Sequence, residues 1–436
     1  MQEYTWGTIE KIAQFCYAFK NIPAMSLEVL AYPFIFLGLY FEVFMLLTFL
    51  SAPARERRLR PASLSTPKVA IIVPCWNEES TIGGTVRSLL AMDYPKDKLQ
   101  IILVNDGSTD NTRAVMDSYK DHEQITVLHK ENGGKHTAIN EGIEIAKDAE
   151  IVGCLDADSF VAPDAMKEII SCFDNPRVMA ATPAMSVHEP KNFLEGMQNA
   201  EYIMGIALRH ALSAVNGIYV TPGPFSLYRK SIIEELGGFR HAHQAEDMEM
   251  ALRIQKAGYE IENAPRARVY TKVPRTVPKL IKQRTRWTTG FLRNVTMDYR
   301  GLVGNPKYGV LGLLVLPLGF VAIVGGIGLF LVAAIEIIRG IFHTLSLTAG
   351  IPLSYTLVPR FSLEMFYAPI TFVLVISTVV TIIAVSFMYM GRHVSNTPAS
   401  LSLSIVGYAF LYGLIAPFWL LRALIDVVTG YRRAWR

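Results

Sequence analysis

The sequence predicts an α/β domain facing the cytosol, held between α-helical membrane segments on both sides. Three observations carry this. The chain of 436 residues is 51% hydrophobic and 18% charged, too apolar for an ordinary soluble protein, yet its middle third is too charged to lie in a membrane throughout. Apolar runs near both ends are long enough for a hydrocarbon core of about 30 Å. Between them, short β-branched runs alternate with helical stretches at βαβ spacing.

Residues 1–24 place Glu3, Glu10, Lys11 and Lys20 among aromatics, with neither an apolar core nor a small-residue cleavage site. An amphipathic lead-in fits better than a signal peptide. Residues 25–54 are expected to form a transmembrane helix although Glu28 and Glu42 interrupt it, and Arg55, Arg57, Arg58 and Arg60 follow as a cluster that stays cytoplasmic. The domain after it, 67–307, then faces the cytosol.

That domain opens with KVAIIVP, read as a buried strand, then a turn and a helix near Ser80; LQIILVNDGS repeats the pattern, and ITVLHK and EIVGCLDADS each follow a helical stretch. The implied core is a parallel sheet with helices on both faces, and ligands gather at the carboxyl ends of such strands. Those ends carry Asn77 and Glu78, then Asp106, then Asp156 and Asp158. The stretch 192–216 reads as an amphipathic helix, resting on the bilayer or packed in the core. After Tyr308, residues 309–338, 366–390 and 400–421 are apolar, and 343–359 is either a short crossing or a loop, so 308–430 holds three or four crossings. GYRRAWR leaves a basic tail over 431–436. The net charge of +4 gives no argument for nucleic acid. The cysteines Cys16, Cys75, Cys154 and Cys172 show neither CxxC spacing nor a paired framework, which fits a reduced compartment.

Several short motifs carry chemistry. In LDADS, alternation along an extended chain sends Asp156 and Asp158 the same way, so both reach one divalent cation; an isolated pair of this kind is more often a solvated cap. Asp106 in VNDGST is either an Asx-turn or helix cap near Asn111, or an acceptor for a nucleobase or ribose. ENGGKHTAIN sets Gly133, Gly134 and Lys135 before a helix, as a plain turn or as a cation near phosphate. QAEDMEM places Glu246 and Asp247 at a helix start, where either can serve as a cap. TPGPFSLYRK makes a stiff turn in which Phe225 is a packing residue. In KQRTRWTTG, the residues Gln283, Arg286 and Trp287 at i, i+3 and i+4 share a helix face. Lys282 and Arg284 point elsewhere, as anchors at the membrane surface.

In their order PCWNEE, VNDGSTD, NGGKHTAIN, LDADS, TPGPFSLYRK, QAEDMEM and QRTRW resemble the family-2 inverting glycosyltransferases, in the membrane branch of cellulose, chitin, hyaluronan and poly-N-acetylglucosamine synthases. The resemblance covers 67–293. It implies a GT-A, Rossmann-like nucleotide-diphospho-sugar transferase domain in a multi-pass protein of the plasma membrane. It further implies that Glu78, Asp106, Lys135 and Asp156 hold a UDP-sugar, that Asp158 ligates Mg²⁺ or Mn²⁺, and that Asp247 is the general base. Gln283, Arg286 and Trp287 would serve the acceptor and the diphosphate. Many relatives have TED where this chain has Ala245, Glu246 and Asp247; the carboxylate is kept. The leading expectation is a synthase extending a β-linked glycan beside its own membrane path, with residues such as Glu42 lining it. The alternatives are a single transfer to a lipid acceptor and an inactive assembly partner. Expected partners are the donor, the glycan or lipid acceptor and membrane lipids.

Overall fold

The computed structural model describes residues 27–59, 66–347, 372–397 and 402–431. The expected 1–24 segment, most of the 343–359 stretch and the tail beyond Tyr431 lie outside them, as do the side chains of the arginine cluster after residue 54. The chain divides into two units, one of residues 1–40 with 322–380 and one of residues 41–321 with 381–436.

The larger unit is built on an eight-stranded sheet of order β3-β2-β1-β4-β7-β6-β8-β5. Strands β1 (Val69–Cys75), β2 (Leu99–Asp106), β3 (Ile125–Lys130) and β4 (Ile151–Cys154) are parallel, with Val69 opposite both Leu99 and Ile151. β1, β2 and β4 are almost wholly buried, which is why they read as unbroken apolar runs and not as alternations. They are linked by α2 (Ile82–Leu90), α3 (Thr112–Asp117) and α4 (Lys135–Ile145). The chain steps outward from β1 to β3 and then returns to the other side of β1 to form β4. Right-handed crossovers therefore put α4 on the opposite face, and a topological switch point falls between β1 and β4.

Beyond β4 the sheet departs from the parallel arrangement expected from the sequence. β7 (Ser226–Arg229) runs antiparallel to β4 and to β6 (Val178–Val187), β6 is parallel to β8 (Glu260–Thr271), and β5 (Ser159–Val161) closes the edge antiparallel to β8. These strands leave a weak sequence signal. β5 and β7 are very short, and the β6–β8 ladder shifts register at Pro183, which has no N–H to give. α5 (Ala165–Ile170) and α7 (Lys230–Glu235) are single-turn connections, and Phe225, Leu227, Ile71 and Ile101 lie in the core beneath.

α6 (Phe193–Ala214) starts on a capping box between Asn192 and Glu195. It packs on β6 and β8 on one side, while Ala200 and Ile203 meet Met388 and Ile405 on the other, so it is an inner helix and not one lying free on a bilayer. α8 (Glu246–Lys256) and α9 (Val277–Arg293) complete the unit around the sheet.

Among the described residues three helices are long and apolar enough to cross a membrane: Ala31–Ser51 within α1 (Leu27–Leu59), Leu311–Thr344 spanning a π-turn and most of α10 (Leu316–Leu347), and Leu374–Ser395 within α11 (Phe372–Ser395). Phe36, Leu47, Ile337 and Ile341 stand exposed on them, an arrangement stable against lipid and not against water. In the smaller unit Phe34 fills the space over Gly325, and the rings of Tyr32 and Phe372 lie 6.0 Å apart. The apolar stretch expected at 400–421 forms α12 (Ser402–Gly407), a π-turn at Tyr408–Tyr412 and α13 (Gly413–Val428); α13 packs along α9 with Trp419 and Ala423 buried.

Candidate active site

The carboxyl ends of β1, β2 and β4 are laced together by their own turns. Asn77, at φ +56°, accepts from the Thr109 N–H at 2.8 Å; the Glu78 N–H donates to Thr112 Oγ1 at 2.8 Å, and Glu78 Oε2 accepts from Thr81 Oγ1 at 2.7 Å. Asp106 is buried, and its carboxylate accepts from Lys130 Nζ at 3.0 Å and from the Gly133 and Gly134 N–H groups at 2.9 Å. The turn-forming and capping roles considered for it fall to neighbours: Asn105 accepts from the Ser108 N–H, and Asp110 from the Thr112 N–H. Asp106 instead fixes the glycine loop that delivers Lys135.

Lys135 is the first residue of α4, and its Nζ lies 2.6 Å from Asp156 Oδ1 and 3.3 Å from Glu246 Oε1. Burial works against its charge, but those two carboxylates prevail and raise it well above the ordinary lysine range. Gly223, in the TPGPF turn, sits where a Cβ would come within 2.7 Å of Lys135 Nζ and 3.1 Å of both Asp156 carboxylate oxygens. Only glycine leaves the ion pair its place. The DAD segment is not extended: the Ser159 N–H donates to the Asp156 carbonyl at 3.0 Å and closes a turn. The two carboxylates nevertheless act on one another. Burial pushes Asp158 up to about 7, with Asp156 and Glu78 adding to it and Lys135 opposing.

Glu246 and Asp247 open α8, and no side chain caps its N-cap residue Ala245. Glu246 turns to Lys135, while Asp247 Oδ1 accepts from the Met248 N–H at 2.8 Å. Thr221 Oγ1 donates to the Asp247 carbonyl and receives the Tyr228 hydroxyl, which ties the TPGPF turn to this helix. Burial raises Asp247 to about 6, Glu246 adds to it, and Lys135, the Met248 N–H and Arg286 pull against it. Burial also disfavours the Glu246 charge, but Lys135, its own backbone N–H and Arg286 overcome that and hold its carboxyl below the usual range.

Arg286 therefore brings α9 into the same charge cluster. Trp287 packs on Met185, Val187, Tyr202 and Val273. Arg284 overturns the expectation of a surface anchor. It is buried, donating from Nη2 to Glu201 Oε2 at 2.6 Å, from Nη1 to Gln283 Oε1 at 2.7 Å and from Nε to the Tyr412 hydroxyl at 3.2 Å, and its guanidinium stands 4.1 Å from the Trp287 ring centre. An anchor would need its charge in the headgroups; this one is spent on a carboxylate inside the protein. Glu201, Tyr202 and Glu246 are the members of the site that sequence reasoning did not bring together. The one available signal was an adjacent carboxylate and phenol, Glu201 and Tyr202, within the amphipathic helix α6. Cys75, Cys154 and Cys172 are buried and free. Among the described residues no three His, Cys, Asp or Glu side chains are grouped for a metal ion.

Residues 67–290 match the family described as Glycosyltransferase like family 2. The chain is 32% identical over 242 residues to a poly-beta-1,6-N-acetyl-D-glucosamine synthase of Staphylococcus epidermidis, covering 55% of this chain and 58% of that one. It is 30% identical over 243 residues to the enzyme of that name from Staphylococcus aureus strain COL, with the same coverage. The matched stretch thus spans little more than half the length of these relatives. Among solved structures, a mannosyltransferase from Pyrobaculum calidifontis in complex with GDP-Man and Mn²⁺ superimposes with a TM-score of 0.59 at 19% identity, over 93% of this chain and all of that one. At that identity the likeness speaks for the fold, and the fold is the GT-A type expected from the motifs, with a mixed sheet. With the family match covering just over half its residues, this chain belongs to glycosyltransferase-like family 2.

Proposed function

We propose that the protein is an inverting glycosyltransferase that moves a sugar from a UDP-sugar to the end of a β-linked glycan. The observation that carries the reading is Asp247: a half-buried carboxylate raised to about 6, in one charge cluster with Glu246, Lys135 and Arg286. The acceptor hydroxyl attacks the anomeric carbon, its proton passes to Asp247, and the bond to the diphosphate breaks with its electron pair leaving on the phosphate oxygen. Lys135 and Arg286 offset that departing charge. Trp287 offers an apolar face to the acceptor sugar, and Glu78, Asp106 and Asp156 belong to the donor side, Asp106 by fixing the Lys135 loop.

Asp156 and Glu78 both act to raise Asp158, and Lys135 opposes them. Asp158 is a hard oxygen donor and would hold a divalent cation, Mg²⁺ or Mn²⁺. Such an ion would neutralise charge on the leaving diphosphate. The reading assigns 67–307 to the catalytic domain on the cytosolic side of the cell membrane. It gives 25–54 and 308–430 to the crossings that the growing chain passes, and 1–24 and 431–436 to flanking segments.

The test is to give the purified protein radiolabelled UDP-glucose and UDP-N-acetylglucosamine in turn, with Mg²⁺ or Mn²⁺, and to size the product. A polymer is expected, and chelation should abolish it. A lipid carrying one sugar would end the polymer reading, and transfer from GDP-mannose alone would move the donor. Gly223→Ala is expected to weaken nucleotide-sugar binding about tenfold, roughly 1.4 kcal/mol, with little change in Tm. The new methyl meets only the mobile ends of Lys135 and Asp156, so calorimetric titration beside a thermal melt checks it.

A further inference from the structure

Among the described residues the buried arginines find partners: Arg253 has Glu249 and two carbonyls, Arg284 has Glu201, and Arg293 has the carbonyls of Asp426 and Tyr431. Arg209, half-buried as a residue, leaves two guanidinium nitrogens without one. Its Nε and Nη2 are shut off from solvent and have no hydrogen-bond partner. Gly205, one turn earlier, leaves the room its guanidinium uses, since a Cβ there would lie 3.3 Å from Nη1. The titratable groups that face Arg209 are the phenols of Tyr219 and Tyr202, and burial pushes the guanidinium down to about 10 despite them. Neither phenol supplies a negative charge at neutral pH.

Its position gives the orphan a meaning. Tyr202 lies two turns before Arg209 on the same side of α6 and packs with Trp287. Tyr219 meets Phe291 edge-on with ring centres 5.8 Å apart, and Phe291 is one turn beyond Trp287 on α9. Arg209 and Tyr219 thus form the next layer along from Tyr202 and Trp287. A sugar hydroxyl would satisfy an N–H there but leave the charge unopposed. A phosphate would do both, and the guanidinium fork matches it.

We infer that Arg209, between Tyr202 and Tyr219, forms an acceptor-side subsite for a phosphate-type anion. This rests on the reading of Trp287 as the acceptor platform, and it shifts the preferred acceptor toward one that carries or adjoins a lipid phosphate. The two sources of that chemistry are a phosphorylated lipid acceptor and a phospholipid headgroup beside the acceptor.

The full chain is placed in dodecyl maltoside micelles, which carry no phosphate, with or without phosphatidylglycerol, as wild type, Arg209→Met and Arg209→Lys, and supplied with polyprenyl phosphate or a β-linked N-acetylglucosamine oligosaccharide. Arg209→Met should melt no lower than wild type, because it removes an uncompensated charge at similar volume. Its KM for polyprenyl phosphate should rise at least tenfold with the oligosaccharide KM unchanged, and Arg209→Lys should fall between. If the headgroup is the source, wild-type activity depends on phosphatidylglycerol and Arg209→Met loses that dependence. Equal weakening of both acceptors, or no dependence on either phosphate source, overturns the inference. Trp287→Ala is the control. If it leaves every acceptor KM unchanged, the platform reading falls; if it raises them while Arg209→Met does nothing, this inference alone falls.

Discussion

Asp247→Asn is expected to lower kcat by roughly two to four orders of magnitude, the usual worth of a positioned general base, while nucleotide binding survives. The fold should tolerate the change. Thr221 bonds to the backbone carbonyl of residue 247, and an asparagine Oδ1 can still accept from the Met248 N–H. The wild-type pH profile carries the same argument. A base works only when ionised, and burial has moved Asp247 from the ordinary aspartate range to about 6. Activity should therefore fall as the pH drops through about 6. Stability runs the other way. With the folded pKa above the unfolded one, the native state binds the extra proton between about 4 and 6, so ionising Asp247 removes stability as pH rises through that window, and the loss persists above it. Asparagine carries no such charge, so at pH 8 the variant should melt no lower than wild type. An Asp247→Asn protein with near wild-type kcat, or with its acid limb still near 6, removes Asp247 as the base.

The first half of the sheet was legible because β1, β2 and β4 are buried on both faces, and double burial selects unbroken apolar runs that stand out in a sequence. The second half was not. Ser226–Arg229 is four residues long, and β6, though mostly apolar, changes register with β8 at Pro183, a residue that argues against a strand when read in sequence. At the site, residues that are neighbours in sequence were readable and partnerships across sequence were not. LDADS and QAED show their carboxylates at once, but that Lys135 joins Asp156 to Glu246 is a contact over more than a hundred residues. The extended geometry assumed for LDADS was wrong in detail. The segment turns, and the mutual influence of Asp156 and Asp158 survives because a tight turn also holds two carboxylates close. For Arg284 helical periodicity gave the wrong environment: it was set apart from Gln283 and Trp287, and its guanidinium lies against both. Which surface lies on that side of α9 depends on α6 and α13, and nothing local to KQRTRW reports it.

Arg284→Ala is expected to destabilise the protein by roughly 3–5 kcal/mol, as loss of one partner of a buried ion pair does. Burial disfavours the Arg284 charge, but Glu201 first, then Tyr202 and Tyr412, hold it charged, and removing it strands the Glu201 carboxylate between helices. A hydroxyl at Tyr412 also donates to Glu201, so a short chain of polar groups links α6, α9 and the π-turn before α13. Lysine should not rescue the loss. Arg284 uses Nε, Nη1 and Nη2 on three different partners, and an ammonium cannot span them. Replacing the pair together, Glu201→Leu with Arg284→Met, should recover most of the stability, since an apolar pair of similar volume avoids the cost of burying charge. Activity should not return with it. The guanidinium lies 4.1 Å from the Trp287 ring centre, and it also holds the adjacent Gln283. Without it Trp287 loses a cation–π contact and the support that fixes its plane. The double variant should thus melt near wild type with an acceptor KM raised and nucleotide affinity kept. If its KM for acceptor is also restored, Arg284 and Glu201 serve only to join the helices, and Trp287 is oriented by its apolar neighbours Met185, Val187 and Val273 alone.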